Sequence, residues 1–387
     1  MTTITTGKGI RLGLCCLFLE QPIKFRNTTV KAISSMNRTA ALAKLSGLCL
    51  ANASALLAAL QFCADQGIGC FRINSQILPL KTHTGCGYPM SELPEGQEIV
   101  RQFNACGEFA KSHNIRTSFH PDQFVVLNSP RPEVVESSLN ELEYQAEMAE
   151  WVNADVVNIH GGGAYGDKQS ALARFAQNLN RLSDRARSRL TVENDDTTYT
   201  PEDLLPMCRA EGLPLVYDVH HHRCNPDGLS LEAATAGALS TWNREPMFHI
   251  SSPLEGWQGA HPKRHHDFID INDFPDLWRG SPITVEVEAK AKEVAVLKLK
   301  QQLAEQWIVY ILRCADGSLY TGITKDLPRR LQQHQAGTAS RYTRSRLPIT
   351  LAYCETLNTK SQALKRELAI KALSRQAKEA LLNTKPA

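Results

Sequence analysis

The sequence has no CxxC pair among its eleven cysteines and no regular cysteine spacing. That argues against zinc-finger and disulfide-scaffold readings and leaves reduced thiols of a cytosolic protein. No run of eighteen apolar residues occurs, so no membrane span is expected. The opening MTTITTGKGI lacks the apolar stretch of a secretory signal. Strong net charge is also missing: the sum is +3 over 387 residues, a length that suits two domains. The charge is unevenly spread, however. Residues 306–387 carry 14 basic and 5 acidic side chains, and the remainder carries 29 and 35. A basic tail on an acidic body points to a polyanion partner, against the plainer reading of a solvated helix face.

The first ~295 residues alternate short apolar runs with amphipathic stretches, the pattern of parallel βαβ units. The expected strands are IRLGLC (10–15), CFRIN (70–74), IRTSFH (115–120), DVVNIH (155–160), RLTVEN (189–194), LPLVYD (213–218), PMFHI (246–250) and ITVEVE (283–288). Helical patterns lie between them, as in SSLNELEYQAEMAEWV (137–152) and ALARFAQNLNRLSDRAR (171–187), while 16–55 reads as a long loop entering the first helix. Eight such units predict a (β/α)8 barrel, whose active sites gather at the C-terminal strand ends.

Those ends carry ligand-type chemistry. The third run ends in His120 and the fourth in His160. The fifth carries Glu193, the sixth ends in Asp218 with His221 just beyond, the seventh carries His249 and the eighth ends in Glu288. His83 lies in the loop after the second run, and GAHPKRHHDFID offers His261, His265 or His266. Imidazole with carboxylate suits zinc, manganese or iron. The donors outnumber what one tetrahedral ion takes, so two or three metals bridged by a carboxylate are expected. A lone histidine at a strand end is more often structural; the set, repeated on six strands, is not.

The segments FRINSQILPLKTH, SFHPDQFVVLNSP, NIHGGGAYGDK, TVENDD, DVHHHRCNP, FHISSP, HHDFID and VEVEAKAKE resemble, in order, the motifs of the UV damage endonuclease family. The resemblance covers about residues 10–295 and implies a TIM barrel that nicks damaged double-stranded DNA immediately 5′ of a lesion. The implied cofactor is a divalent cluster, manganese first, with zinc or magnesium as alternatives. The implied ligands are His83, His120, His160, Glu193, Asp218, His221, His249, His265 and Glu288. Glu193 bridges two metals in this reading, and Glu193 and His221 also count as catalytic. Gln123 and Phe124 match the wedge that enters the duplex, with packing at the barrel rim as the structural alternative for Phe124. Asn128 and Tyr165 are assigned as DNA-facing by position. Three positions depart from the family. Phe124 stands where relatives have tyrosine, Leu14 where many have an aromatic, and Met247 where some carry lysine.

The tail reads IVYI (308–311) and LYTG (319–322) around the turn ADGS, then LPRRLQQH and ALKRELAIKAL. It resembles a small GIY-YIG nuclease domain over about 306–382. The resemblance implies that Tyr310 and Tyr320 position or deprotonate the attacking water. Arg330 stabilises phosphate charge, His334 assists proton transfer, and Glu367 holds a magnesium ion. A late asparagine of some relatives has no match. The resulting expectation is an α/β chain with a barrel (8–295), a helical linker (296–306) and a small α+β GIY-YIG domain (307–387). It would be a cytoplasmic, nucleoid-associated repair nuclease with no membrane partner. The rival readings are an apurinic endonuclease, a sugar isomerase, and a damage sensor with an inactive, DNA-tethering tail.

Overall fold

The computed structural model describes residues 9–304, 306–357 and 359–382. The N-terminal segment read above for leader character falls almost wholly outside them. The chain divides into two units, Met1–Leu299 and Lys300–Ala387.

In the first unit eight strands close a barrel: β1 (Ile10–Cys15), β2 (Cys70–Ile73), β3 (Arg116–Phe119), β4 (Ala154–His160), β5 (Leu190–Glu193), β6 (Leu215–Asp218), β7 (Met247–Ile250) and β8 (Ile283–Val287). Each pairs in parallel with its sequence neighbour, and β1 pairs with β8. Helices cover the outside, so the strands read as near-continuous apolar runs. The helix starts follow local chemistry. Thr200 and Asp203 form a reciprocal capping box ahead of Pro201–Glu211, and Asp167 caps Lys168–Leu179 through the Gln169 and Ser170 amides.

The segment 16–55 is not one loop. A helix runs from Arg38 to Gln66, capped by Asn37 and ended by Gly67 at φ +60°. Its alanines, Ala40 and Ala43 among them, extend onto the outward face and blur the apolar period that marks a helix. By length and composition this helix could cross a membrane. Here Leu45, Leu56, Leu60 and Cys63 are buried, and the helix packs on β2 and on the helix Gly96–Ser112. The segment 137–152 belongs to a helix that starts earlier and ends one residue sooner, Pro132–Trp151, and 171–187 divides into Lys168–Leu179 and Asp184–Arg187. The helix after β8 begins at Lys292, earlier than the expected linker, and buries Ala295, Val296 and Leu299.

In the second unit β9 (Trp307–Cys314), β10 (Leu319–Thr324) and β11 (Ile349–Leu357) form an antiparallel sheet in the order β10-β9-β11. The β9–β10 hairpin turns at Gly317, φ +76°, and Asp316 accepts from the Ser318 amide at 2.9 Å. The third strand, ITLAYCETL, is additional to the two read from sequence. Alternation along β9 puts Val309 and Ile311 in one core with Ala363 and Ile370, and Tyr310 and Leu312 in another with Tyr320, Leu327 and Leu331.

Candidate functional site

Strand register assembles the barrel site. His160 lies beside Glu193 across β4 and β5, Asp218 beside His249 across β6 and β7, and His249 beside Glu286 across β7 and β8. His120 follows β3 directly. His221 comes from the helix Val219–Cys224, where Asp218 Oδ1 accepts from the His221 amide at 2.8 Å.

The fully buried Glu193 is the hub. Its Oε2 lies 3.1 Å from both His120 Nε2 and His249 Nδ1, and its Oε1 lies 3.2 Å from His221 Nδ1. Asn158 Nδ2 donates to Oε2 at 2.6 Å, and Asn158 Oδ1 accepts from Thr191 Oγ1 at 2.9 Å, which fixes the carboxylate from below. His120, His160 and Glu193 form one group with donor atoms within 4.8 Å of one another; Glu193, Asp218 and His249 form another, with Glu193 common to both.

Two histidines are aimed by backbone carbonyls. His120 Nδ1 donates to Pro121 O at 3.0 Å, and His221 Nδ1 donates to Asn194 O at 3.0 Å. A carbonyl only accepts, so Nδ1 holds the proton and Nε2 keeps its lone pair for a ligand role. Meanwhile His160 Nδ1, Glu193 Oε1 and Asp218 Oδ2 are buried without a hydrogen bond. One such atom costs about 1–3 kcal/mol. Mixed imidazole and carboxylate donors left unsatisfied together fit a divalent cation. Burial alone would raise the Glu193 carboxyl, but the surrounding imidazoles, His249 first, outweigh it and hold it well below the usual range. Burial also lowers the His160 pKa, which favours a neutral ring.

Beneath this cluster is a polar layer that the sequence alone did not reveal. Arg72 on β2, itself buried, donates through Nε to Glu286 at 2.5 Å, through Nη1 to Glu288 at 2.7 Å and through Nη2 to His249 Nε2 at 2.9 Å. Ser118 also bonds Glu286. Burial would raise the Glu286 carboxyl, yet Arg72, His249 and Ser118 bring it down to about 2. The period-2 alternation in VEVE placed Glu286 on the same face as Glu288 and was the available signal.

The remaining assignments divide. His265 stands at the edge of the cluster, 3.9 Å from Glu288 and 3.2 Å from Ser251 Oγ through Nδ1. His83 is not brought to the cluster. It is exposed, accepts from the Gly85 amide at 3.0 Å, and lines a neighbouring cavity with Asp122 and Phe124. The loop after β2 carries it to the rim instead of the barrel axis. The DNA-facing assignment of Asn128 is corrected: it is fully buried, and Nδ2 donates to Gly161 O at 2.6 Å and Gly163 O at 2.8 Å. It ties the loop after β3 to the loop that follows His160.

Phe124 and Tyr165 do face solvent, 76% and 48% exposed. Both, with Gln123, line a cavity of about 750 Å³ that contains His120, His160, Glu193, His221 and Glu288. Tyr165 sits in the left-handed region at φ +49°, and Arg174 lies 5.9 Å from its ring. Leu14 and Met247 are wholly buried, Met247 against Cys70 and Val156.

The tail site is a linked set on β9, β10 and the helix Leu327–Gln335. Tyr310 OH lies 2.9 Å from His334 Nε2, and Arg330 Nε donates to the same hydroxyl at 3.3 Å. Thr343 Oγ1 donates to Ser340 O at 3.3 Å and therefore accepts from His334 Nδ1 at 2.8 Å. The proton of His334 is thus on Nδ1, and Nε2 accepts from Tyr310. Burial and then Arg330 lower the His334 pKa. The Tyr320 ring lies 5.1 Å from His334 and 6.4 Å from Tyr310. Gly322 has to lack a side chain, because a Cβ there would meet Tyr310 OH at 2.6 Å. Glu367 lies on the helix Lys360–Ala372, where Lys371 bonds it at 2.9 Å, and its charge reaches Tyr310.

Comparison with known proteins agrees with this geometry. Residues 10–314 match the UV-endonuclease UvdE family, and residues 306–380 match the GIY-YIG catalytic domain. A UV DNA damage endonuclease of Bacillus velezensis is 35% identical over 308 residues, which span 76% of this chain and 93% of that protein. One of Bacillus pumilus is 34% identical over 266 residues, spanning 66% and 81%. The solved structure of SacUVDE superimposes with a TM-score of 0.68 at 30% identity, covering 76% of this chain and 98% of that one. With its eight-stranded barrel and its separate three-stranded unit, the chain belongs to the UvdE family of UV endonucleases and carries a GIY-YIG catalytic domain in its C-terminal part.

Proposed function

We propose that the barrel is a metal-dependent DNA repair endonuclease that hydrolyses the phosphodiester 5′ of UV photoproducts, and that the tail makes a second cut. One observation carries this reading. An exposed aromatic ring, Phe124, stands at the mouth of a cavity whose wall holds Glu193 and its histidines with buried, unsatisfied donor atoms. His120, His160, Glu193, Asp218, His221, His249, His265 and Glu288 are the residues that would hold the ions, manganese being the expected one. Divalent cations there would supply Lewis acidity toward the phosphate and lower the pKa of a water.

The chain's own residues do the rest. Phe124 fills the gap left when damaged bases leave the stack, which costs least at a distorted site. Gln123 and Tyr165 border the same space. Asn158 and Arg72 hold Glu193, Glu288 and His249 in fixed orientations, so little reorganisation is needed on substrate binding. In the tail, His334 Nε2 takes the Tyr310 proton while Arg330 holds the phenol oxygen, which readies that oxygen to accept a proton from water. Glu367 would hold magnesium.

The test is an end-labelled duplex with one UV photoproduct, incubated with manganese or chelator. Wild type should nick it directly 5′ of the lesion, and Glu193→Gln should not. Cleavage at an abasic control with none at the photoproduct would replace this reading with the apurinic one. A Tyr310→Phe variant should lose the second cut and keep the first. If it gives the same products as wild type, the tail does not cut.

A further inference from the structure

A second cavity, of about 570 Å³, adjoins the ligand cluster on the side of β8 and β1 and shares Glu288 with the larger one. Lys263, Arg264, Lys290, Lys292 and Arg72 line it. Two of these cations are occupied. Arg72 is taken up by Glu286 and Glu288, and Lys263 bonds Thr197 at 2.8 Å with Asp196 at 3.8 Å. Arg264, Lys290 and Lys292 have no ion pair among the described residues. The single carboxylate of the lining, Glu288, already accepts from Arg72 at 2.7 Å. The cavity therefore has an uncompensated positive wall directly beside the proposed reacting centre.

The backbone gives a second, independent sign. Lys292 is held at φ +48° and Cys16, which lines the same cavity, at φ +59°. Glycine takes that conformation without strain, and any other residue holds it at a cost. Strain of this kind gathers at ligand-binding sites. Here the two strained residues are a lysine of the lining and Cys16, just after β1.

We propose that this cavity is a phosphate subsite, in which Lys290, Lys292 and Arg264 hold a phosphodiester that flanks the scissile one on the nicked strand. The inference rests on the DNA-cleaving reading above and adds where the strand passes. Ammonium groups suit it as point charges on a phosphate that needs no directional recognition. Phosphate contacts of this type fix the register of the strand and carry no sequence information.

The test is equilibrium binding of a photoproduct duplex to the full chain in EDTA, from 50 to 300 mM salt, with wild type and a Lys290→Gln/Lys292→Asn double variant. Asparagine tolerates the left-handed position, and neither lysine is a candidate metal ligand. Each phosphate neutralised contributes about 0.9 to the slope of log affinity on log salt. The variant should lose about one unit of slope and bind more weakly at low salt, while its manganese uptake matches wild type. An unchanged slope, with wild type still preferring the lesion duplex, overturns the subsite alone. Reduced manganese uptake also overturns it, because the lysines would then be acting through Glu288. If wild type shows no preference for the lesion duplex, the DNA-cleaving reading fails and the subsite fails with it.

Discussion

Truncating Phe124 to alanine separates recognition from folding. The ring is 76% exposed, so its removal takes little apolar surface out of the packed protein. A surface change of this kind moves stability by no more than about 0.5 kcal/mol. If the ring instead fills the gap beside extruded bases, its loss removes base–aromatic stacking of about 1–3 kcal/mol. That corresponds to roughly a 5- to 150-fold weaker complex. Undamaged duplex, which stays stacked, should be bound almost equally by both proteins. The assay is fluorescence anisotropy of a photoproduct duplex and its undamaged twin, in EDTA to prevent cutting and at one fixed salt concentration, because phosphate contacts make affinity salt-dependent. Phe124→Tyr should keep wild-type affinity and Phe124→Leu should fall between. Equal losses on both duplexes would refute the wedge, since that pattern marks a general contact. So would a fall of several degrees in melting temperature, which would mean that the ring packs at the rim.

Three further outcomes are expected. Arg72→Met leaves the buried Glu286 and the half-buried Glu288 without their cation, and should cost the barrel about 3–5 kcal/mol in chemical denaturation; a cost under about 1 kcal/mol would show that these acids find other partners. Gly162 lies at φ +82°, and a Cβ there would meet Asn128 Oδ1 at 2.2 Å, so Gly162→Ala should destabilise by about 1–3 kcal/mol and loosen the loop after His160. A melting curve unmoved by that change would mean that the Asn128 lock is dispensable. For His334, burial and Arg330 put the folded pKa below the unfolded value of about 6.5. The unfolded tail therefore takes up a proton that the folded tail refuses, and tail stability should fall as pH drops from about 6.5 through the folded pKa, with no contribution above. Calorimetry of the full chain between neutral and mildly acidic pH reads this, and His334→Gln should remove that part of the slope.

Much of the barrel and of the side-chain cluster at its mouth was legible from sequence, and for one reason. A parallel barrel sends every strand's C-terminal end to one face, so residues that end successive apolar runs become neighbours without further information. That is why His120, His160, Glu193, Asp218 and His249 converge as read. Strand period also sufficed for the tail hairpin, where Tyr310 and Tyr320 share one core. Tertiary structure decided what depends on contacts between segments distant in the chain. Arg72 and Glu286 meet across 214 residues, and no local pattern marks a strand arginine as the anchor of the opposite acids. His83 looked like a ligand by motif, but the path of its loop keeps it at the rim. Asn128 looked DNA-facing by position, yet its amide satisfies two carbonyls of the glycine loop, and burial followed from that pairing. The tautomer of His334 is set by Thr343, a residue on a separate helix. Sequence determined which chemistry lies at which strand end; packing determined which of those groups are aimed, paired or turned away, because orientation is fixed by neighbours that only the folded chain supplies.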